Sequence, residues 1–139
     1  MQAFLDTDVL LDVALARAAH APDSIEALRW VEKGGSAAVA WHSLTNCAYL
    51  LKGGGRVFLE HLLRLVEVAP VGTADARRAL SFPMADVEDA FQAAAALAWE
   101  AECIVTRNTS DYRHSPVPAL SPATFLRRTT RVSTKPGER

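Results

Sequence analysis

A chain of 139 residues is the length of one ordinary domain, and folding at this size buries about two thirds of the surface that the unfolded chain exposes. Half of the residues are hydrophobic and 22% are charged, a globular composition that excludes disorder over most of the length. The net charge of −1 gives no overall pull toward nucleic acid, so an RNA substrate would have to be drawn by local basic patches. The longest nearly uncharged stretch, "AFQAAAALAW", has about half of the ~20 apolar residues needed to span a bilayer and contains Gln92, so no membrane segment is expected. Asp6 and Asp8 break the apolar start almost at once, which argues against a secretory signal and for a cytoplasmic location. Cys47 and Cys103 lie far apart without a second Cys or His at ligand spacing, which argues against zinc and for buried free thiols.

In chain order, "QAFL" reads as a strand, and from Thr7 the apolar residues Leu10, Leu11, Ala14, Leu15 and Ala18 recur on one helical face, with Thr7 as the N-cap. "APDSIEALRWVEKGG" reads as a second helix capped by Asp23 or Ser24, and "SAAVAW" as a short buried strand. "HSLTNCAYLLKGGG" and "RVFLEHLLRLVE" follow as helices, then "VEVAPV" as a third strand and "TADARRALS" as a short helix. "ADVEDAFQAAAALAWEAE" is the strongest helix, with Val87, Phe91, Ala94, Ala95 and Ala98 in register. "CIVT" and "VPAL" complete the strands. Strands alternating with helices predict an α/β fold of βαβ units with a parallel sheet covered on both faces. One domain is expected over residues 1–128, followed by a flexible basic tail over 129–139 that holds Arg131, Lys135 and Arg139.

In such a sheet ligands collect beyond the carboxyl ends of the strands, and the acids fall there. Asp6 closes the first strand, Asp86 and Asp89 open the long helix one turn apart, and Asp111 lies in the loop after the fourth strand. Any one of them is explained by capping or by the helix dipole. Several carboxylates converging on one edge repel each other unless a cation neutralises them, and Mg²⁺ or Mn²⁺ is the hard, oxygen-ligated ion that suits them.

The run "FLDTDVLLD", then "SLTNCAYLLK", "DVEDAFQAAAA", "IVTRNTSDY" and "VPALSPATFL", in that order and across nearly the whole chain, resembles PIN-domain nucleases. The resemblance implies a three-layer α/β/α fold around a mostly parallel sheet of about five strands. It also implies metal-dependent hydrolysis of RNA phosphodiester bonds, the ribonuclease activity of VapC-like toxins that an antitoxin restrains, and a homodimer. Carried over position by position, Asp6 is the first metal ligand, with Thr7 and Asp8 as the polar pair after it. Asp89 opens the small-residue helix, Asp86 is able to share its role, and Asp111 supplies the last acid, with Asn108 orienting water or a ligand. Where many relatives place a Glu, this chain has Asn46, which weakens the metal site unless Asp86 or Glu88 compensates. Thr106, Arg107 and Arg113 flank the site, where arginine offers a bidentate fork to phosphate.

Two rivals remain open at this stage. "FLDTDVLL" also resembles the start of haloacid dehalogenase-like phosphatases, in which the first Asp attacks phosphorus; that chemistry needs a lysine near the phosphate, and Lys33, Lys52 and Lys135 are poorly placed for it. The other rival is a PIN fold that has lost catalysis and binds RNA or protein. The four histidines are read as structural or surface residues, Trp30, Trp41 and Trp99 as core residues and not an RNA-stacking platform, and Asp12 as solvent-facing.

Overall fold

The computed structural model describes residues 1–17 and 21–133. Five strands, β1 (Gln2–Leu5), β2 (Ser36–Val39), β3 (Glu67–Val68), β4 (Cys103–Val105) and β5 (Ala119–Leu120), form one sheet in the order β3-β2-β1-β4-β5, with every pairing parallel. Parallel neighbours require long crossovers. These are supplied by α1 (Thr7–Ala14), α2 (Ala21–Glu32), α3 (Trp41–Leu51), α4 (Gly55–Leu62), α5 (Thr73–Ala79) and α6 (Val87–Ala98), with α7 (Pro122–Ser133) closing the described chain.

The two-residue period of a strand sends neighbouring side chains to opposite faces, and both faces are buried here. Ala3, Leu5, Ala37, Val39, Cys103 and Val105 pack with Leu10, Leu28, Leu62 and Phe125 from α1, α2, α4 and α7. On the opposite face Phe4, Ala38 and Ile104 meet Ala93, Ala95 and Ala96 of α6, and α5 packs onto α6 through Ala79, Ala90 and Ala94. This is the three-layer α/β/α arrangement expected from the sequence.

Several boundaries differ from the sequence expectation. Helix α1 ends at Ala14, with Leu15 as its C-cap, so its final turn is shorter than the apolar spacing suggested. The strand read from "VEVAPV" narrows to Glu67–Val68, because β3 lies at a sheet edge with one paired side only. Helix α7 continues through Ser133, five residues into the segment expected to be a tail, and residues 134–139 lie outside the described chain. Between α2 and β2 the turn needs Gly34 at φ +108°, and Gly35 lies flush on the Trp30 ring, which leaves no room for a Cβ.

Candidate metal centre

Helix α1 starts directly after β1, so Asp6 occupies its N-cap position at the carboxyl edge of the sheet. Its side chain makes no capping bond. The carboxylate is 5% exposed and turns into the fold, where Oδ1 accepts from Gln92 Nε2 at 2.6 Å and Oδ2 accepts from Thr106 Oγ1 at 2.6 Å and from the Tyr112 hydroxyl at 3.2 Å. Capping therefore does not account for Asp6. It does account for part of Asp86, whose Oδ1 accepts from the Asp89 backbone N–H at 3.1 Å at the start of α6.

The carboxylates form two groups. Asp6 and Asp8 share the Thr106 hydroxyl, at 2.6 and 3.2 Å from their respective Oδ2 atoms. Asp86, Glu88 and Asp89 each offer a carboxylate oxygen, and these oxygens lie within 4.8 Å of one another. Two side chains join the groups. Gln92 Nε2 reaches Glu88 Oε1 at 3.1 Å as well as Asp6, while its Oε1 accepts from the Thr7 backbone N–H at 3.3 Å. Tyr112 stands 3.3 Å from Asp89 Oδ1 as well as against Asp6, so its single proton serves one acid at a time.

Crowding is visible in the proton affinities. Burial, above all, raises the Asp6 carboxyl, against the opposing hydrogen bonds from Thr106 and Gln92. Burial and the neighbouring Asp6 charge push Asp8 up to about 7, despite Arg107 nearby. Asp89 also rises to about 7, through burial, its hydrogen bond to Glu88, and the charges of Asp86, Asp6 and Glu88. Burial alone would raise Glu88 too, but the facing His42 ring and hydrogen bonds from Asp89 and Gln92 outweigh it and hold Glu88 below its ordinary value. A proton held on Asp89 and donated to Glu88 accounts for both opposite shifts. Burial and the surrounding acids raise Tyr112 far above its ordinary value and keep its hydroxyl protonated.

The donor set suits a hard divalent cation. It consists of carboxylate oxygens, the charges on them are mutually unfavourable, and Asp8 Oδ1 is buried with no hydrogen-bond partner among the described residues. A cation would supply the missing positive charge.

The other expected site residues are distributed unevenly. Asn108 donates from Nδ2 to Asp8 Oδ2 at 2.8 Å, and its backbone N–H reaches Thr106 Oγ1 at 3.1 Å, so both join the Asp8 side of the site. Asp111 is exposed on the 3₁₀ turn Thr109–Tyr112, and its carboxylate has no hydrogen bond or ion pair among the described residues. Asn46 is half-buried on α3, one turn beyond His42. Arg113 is exposed, without an ion pair among the described residues.

Three expectations are corrected, and two further residues, Arg107 and His42, make contacts that the sequence left open. Trp41, expected in the core, is 65% exposed. Thr7 is not the N-cap but the first helical residue, and its Oγ1 pairs with Ser43 Oγ at 2.7 Å, tying α1 to α3. Asp12 is fully buried rather than solvent-facing, and its Oδ2 binds Arg107 Nε at 2.7 Å, with Arg17 and Ser24 as further partners. Arg107 thereby gives its Nε to an internal ion pair, because a buried carboxylate needs a cation as partner. His42 stands beside the acids: Nε2 lies 3.2 Å from Glu88 Oε1, in ion-pair range although not aligned as a hydrogen bond. Gln92 and Tyr112 join the site and were not assigned to it from the sequence, and Glu88, expected only to compensate for Asn46, stands among the acids. For Gln92 a signal existed: a lone amide within an alanine run, four residues after Glu88, must find partners if the run is buried.

Comparison with known proteins agrees with the fold. A family model described as PIN domain matches residues 2–110. Among solved structures, VapBC2 from Rickettsia felis bound to a DNA fragment from their promoter is similar at 16% identity and TM-score 0.64, over 87% of this chain and 98% of that chain. FitAcB from Neisseria gonorrhoeae is similar at 17% identity and TM-score 0.59, with the same coverage. No curated protein sequence matches the chain.

Proposed function

Since the chain belongs to the PIN-domain family, whose model spans residues 2–110, we propose that it is a Mg²⁺- or Mn²⁺-dependent endoribonuclease, a hydrolase of RNA phosphodiester bonds acting as the toxin of a VapBC-type pair. The observation that carries this reading is the convergence of Asp6, Asp8, Glu88 and Asp89 at one sheet edge, with raised proton affinity on three of them and a buried, unpartnered oxygen on Asp8. In this proposal Asp6 and Asp89 hold the ion, Asp8 contributes Oδ1, and Asp86 and Glu88 compensate for Asn46. Asp111 is retained as an outer acid. When bound, the ion supplies Lewis-acid stabilisation of charge on the phosphate oxygens and makes water more acidic.

The chain's own side chains do the rest. Gln92 and Thr106 fix both oxygens of Asp6, which keeps its carboxylate from swinging away when a substrate anion arrives. Tyr112, kept protonated, holds Asp6 and Asp89 apart at a set spacing by donating to one or the other. Asp86 spends Oδ1 on its cap and has Oδ2 left to orient the attacking water and accept its proton. Asn108 and Thr106 hold Asp8, and Arg113 is a cation offered to the RNA backbone.

Partners follow from the same reading. The proposed partners are an RNA substrate, an antitoxin protein and a second copy of the chain, in the cytoplasm. Tyr49, 81% exposed, and Val57, 72% exposed, on α3 and α4 offer apolar surface suited to a protein partner. No helix of the described residues is long and apolar enough to cross a membrane. Asn46, a neutral residue in place of an acid, favours a second reading, a PIN domain that binds RNA or protein without cleaving.

The test compares substrates and metals. Single-stranded RNA and a phosphomonoester are incubated with the protein in EDTA, Mg²⁺ or Mn²⁺. RNA cleavage that appears only with metal supports the nuclease. Phosphomonoester turnover without RNA cleavage would move the function to a phosphatase, and RNA binding without either activity to the binding module.

A further inference from the structure

A cavity of about 260 Å³ opens between α3, α5 and α6, lined by Trp41, His42, Val71, Asp75, Phe91 and Ala95 among others. It lies on the same sheet edge as the carboxylates. Ala40 and Trp41 follow β2, the strand beside β1, so the cavity starts one strand spacing, about 4.8 Å, along the edge from Asp6. His42 belongs to both places: it lines the cavity and stands 3.2 Å from Glu88 Oε1. We propose that this cavity is a subsite for one unstacked base of a single-stranded RNA, next to the phosphate that is cut. The proposal rests on the ribonuclease reading of the neighbouring carboxylates.

Size, chemistry and charge favour a base. The volume falls below the ~300–1,000 Å³ of pockets for drug-sized ligands, which suits one planar ring system. The wall is aromatic: His42 and Phe91 meet edge to face, with ring centroids 6.4 Å apart, and the Trp41 indole is 65% exposed beside them. Exposure of so large an apolar ring forgoes burial that a stacking partner would recover. Aromatic faces stack on any base, whereas a phosphate in this cavity would meet the Asp75 carboxylate. A guanidinium lies outside, where Arg78 stands one turn beyond Asp75 on α5, exposed and without an ion pair among the described residues. An indole to stack the base and a guanidinium on its flank to meet the backbone is the pairing that single-stranded RNA requires. An apolar side chain of a protein partner would use the indole but not Arg78.

The experiment measures binding and cleavage separately. Fluorescence anisotropy follows a labelled single-stranded RNA octamer binding to the full-length chain with Ca²⁺ in place of Mg²⁺, for wild type, Trp41→Ala and Trp41→Phe. The proposal expects Trp41→Ala to bind about tenfold more weakly and Trp41→Phe to retain most of the affinity. An abasic replacement at one position of the octamer should cost wild type about the same factor and cost Trp41→Ala nothing. Equal affinity of wild type and Trp41→Ala, an abasic penalty that persists in Trp41→Ala, or no RNA binding by wild type overturns the subsite. Mg²⁺-dependent cleavage by a Trp41→Ala variant of unaltered affinity would leave the nuclease standing without the subsite. Trp41-dependent binding without cleavage by wild type would leave the subsite standing without the nuclease.

Discussion

Replacing Asp89 by Asn removes a charge that the metal-free fold resists and keeps the shape of the protonated acid. The amide Nδ2 would donate to Glu88, as the proton on Asp89 does, and Oδ1 would still accept from Tyr112. Folding raises this carboxyl from 3.8 to about 7, so the folded state holds the proton more tightly than the unfolded one. The penalty is absent below a pH of about 4, grows as the pH rises to about 7, and is constant above that. At about 1.36 kcal/mol per pH unit the shift corresponds to about 4 kcal/mol, and screening of this half-buried group reduces it to on the order of 1–2 kcal/mol. In EDTA at pH 8, Asp89→Asn should therefore melt about 3–8 °C above wild type, and the gap should close by pH 4. Mn²⁺ reverses the order: at a hundred times its dissociation constant it adds about 2.7 kcal/mol to wild type and little to the variant. Circular-dichroism melts over pH 4–8, with EDTA or Mn²⁺, give all four values. A variant less stable than wild type in EDTA at pH 8, or one equally stabilised by Mn²⁺, refutes the crowded-carboxylate account.

Other substitutions probe the rest of the site. Asp12→Ala leaves Arg107 half-buried beside an empty partner position, and urea unfolding should show a loss of about 3–5 kcal/mol. Gln92→Ala strips the 2.6 Å donor from Asp6 Oδ1; denaturation should show a loss of about 1–3 kcal/mol, and Mn²⁺ titration a weaker site, whereas an unchanged affinity would show that Gln92 only fills space. Asp111→Asn should reduce cleavage far less than Asp6→Asn, because Asp111 is exposed and unpaired among the described residues; equal losses would place Asp111 among the ligands.

Much of the fold was legible because α6 and β1 speak locally: a capped alanine-rich run and an apolar tetrapeptide that stops at Asp6. Strands β3 and β5 were legible only as neighbourhoods, since two paired residues each are fixed by the adjacent strand and not by their own pattern. Of the site, Asp6 and Asp89 were marked by position, at a strand end and a helix start. Asp12 and Arg107 were not, because burial of a charge depends on a partner 95 residues away. Thr7 was misjudged for a related reason: an N-cap and a first-turn hydroxyl differ by one residue, and Ser43 on another helix decides which use the hydroxyl finds.

The most direct test of the central claim is Mn²⁺-dependent cleavage of single-stranded RNA by wild type and by Asp6→Asn at equal, folded concentrations. The account predicts cleavage by wild type that EDTA stops, and a loss of at least about a hundredfold in Asp6→Asn, the scale of removing one group that positions a catalytic ion. Undiminished cleavage by Asp6→Asn would contradict it.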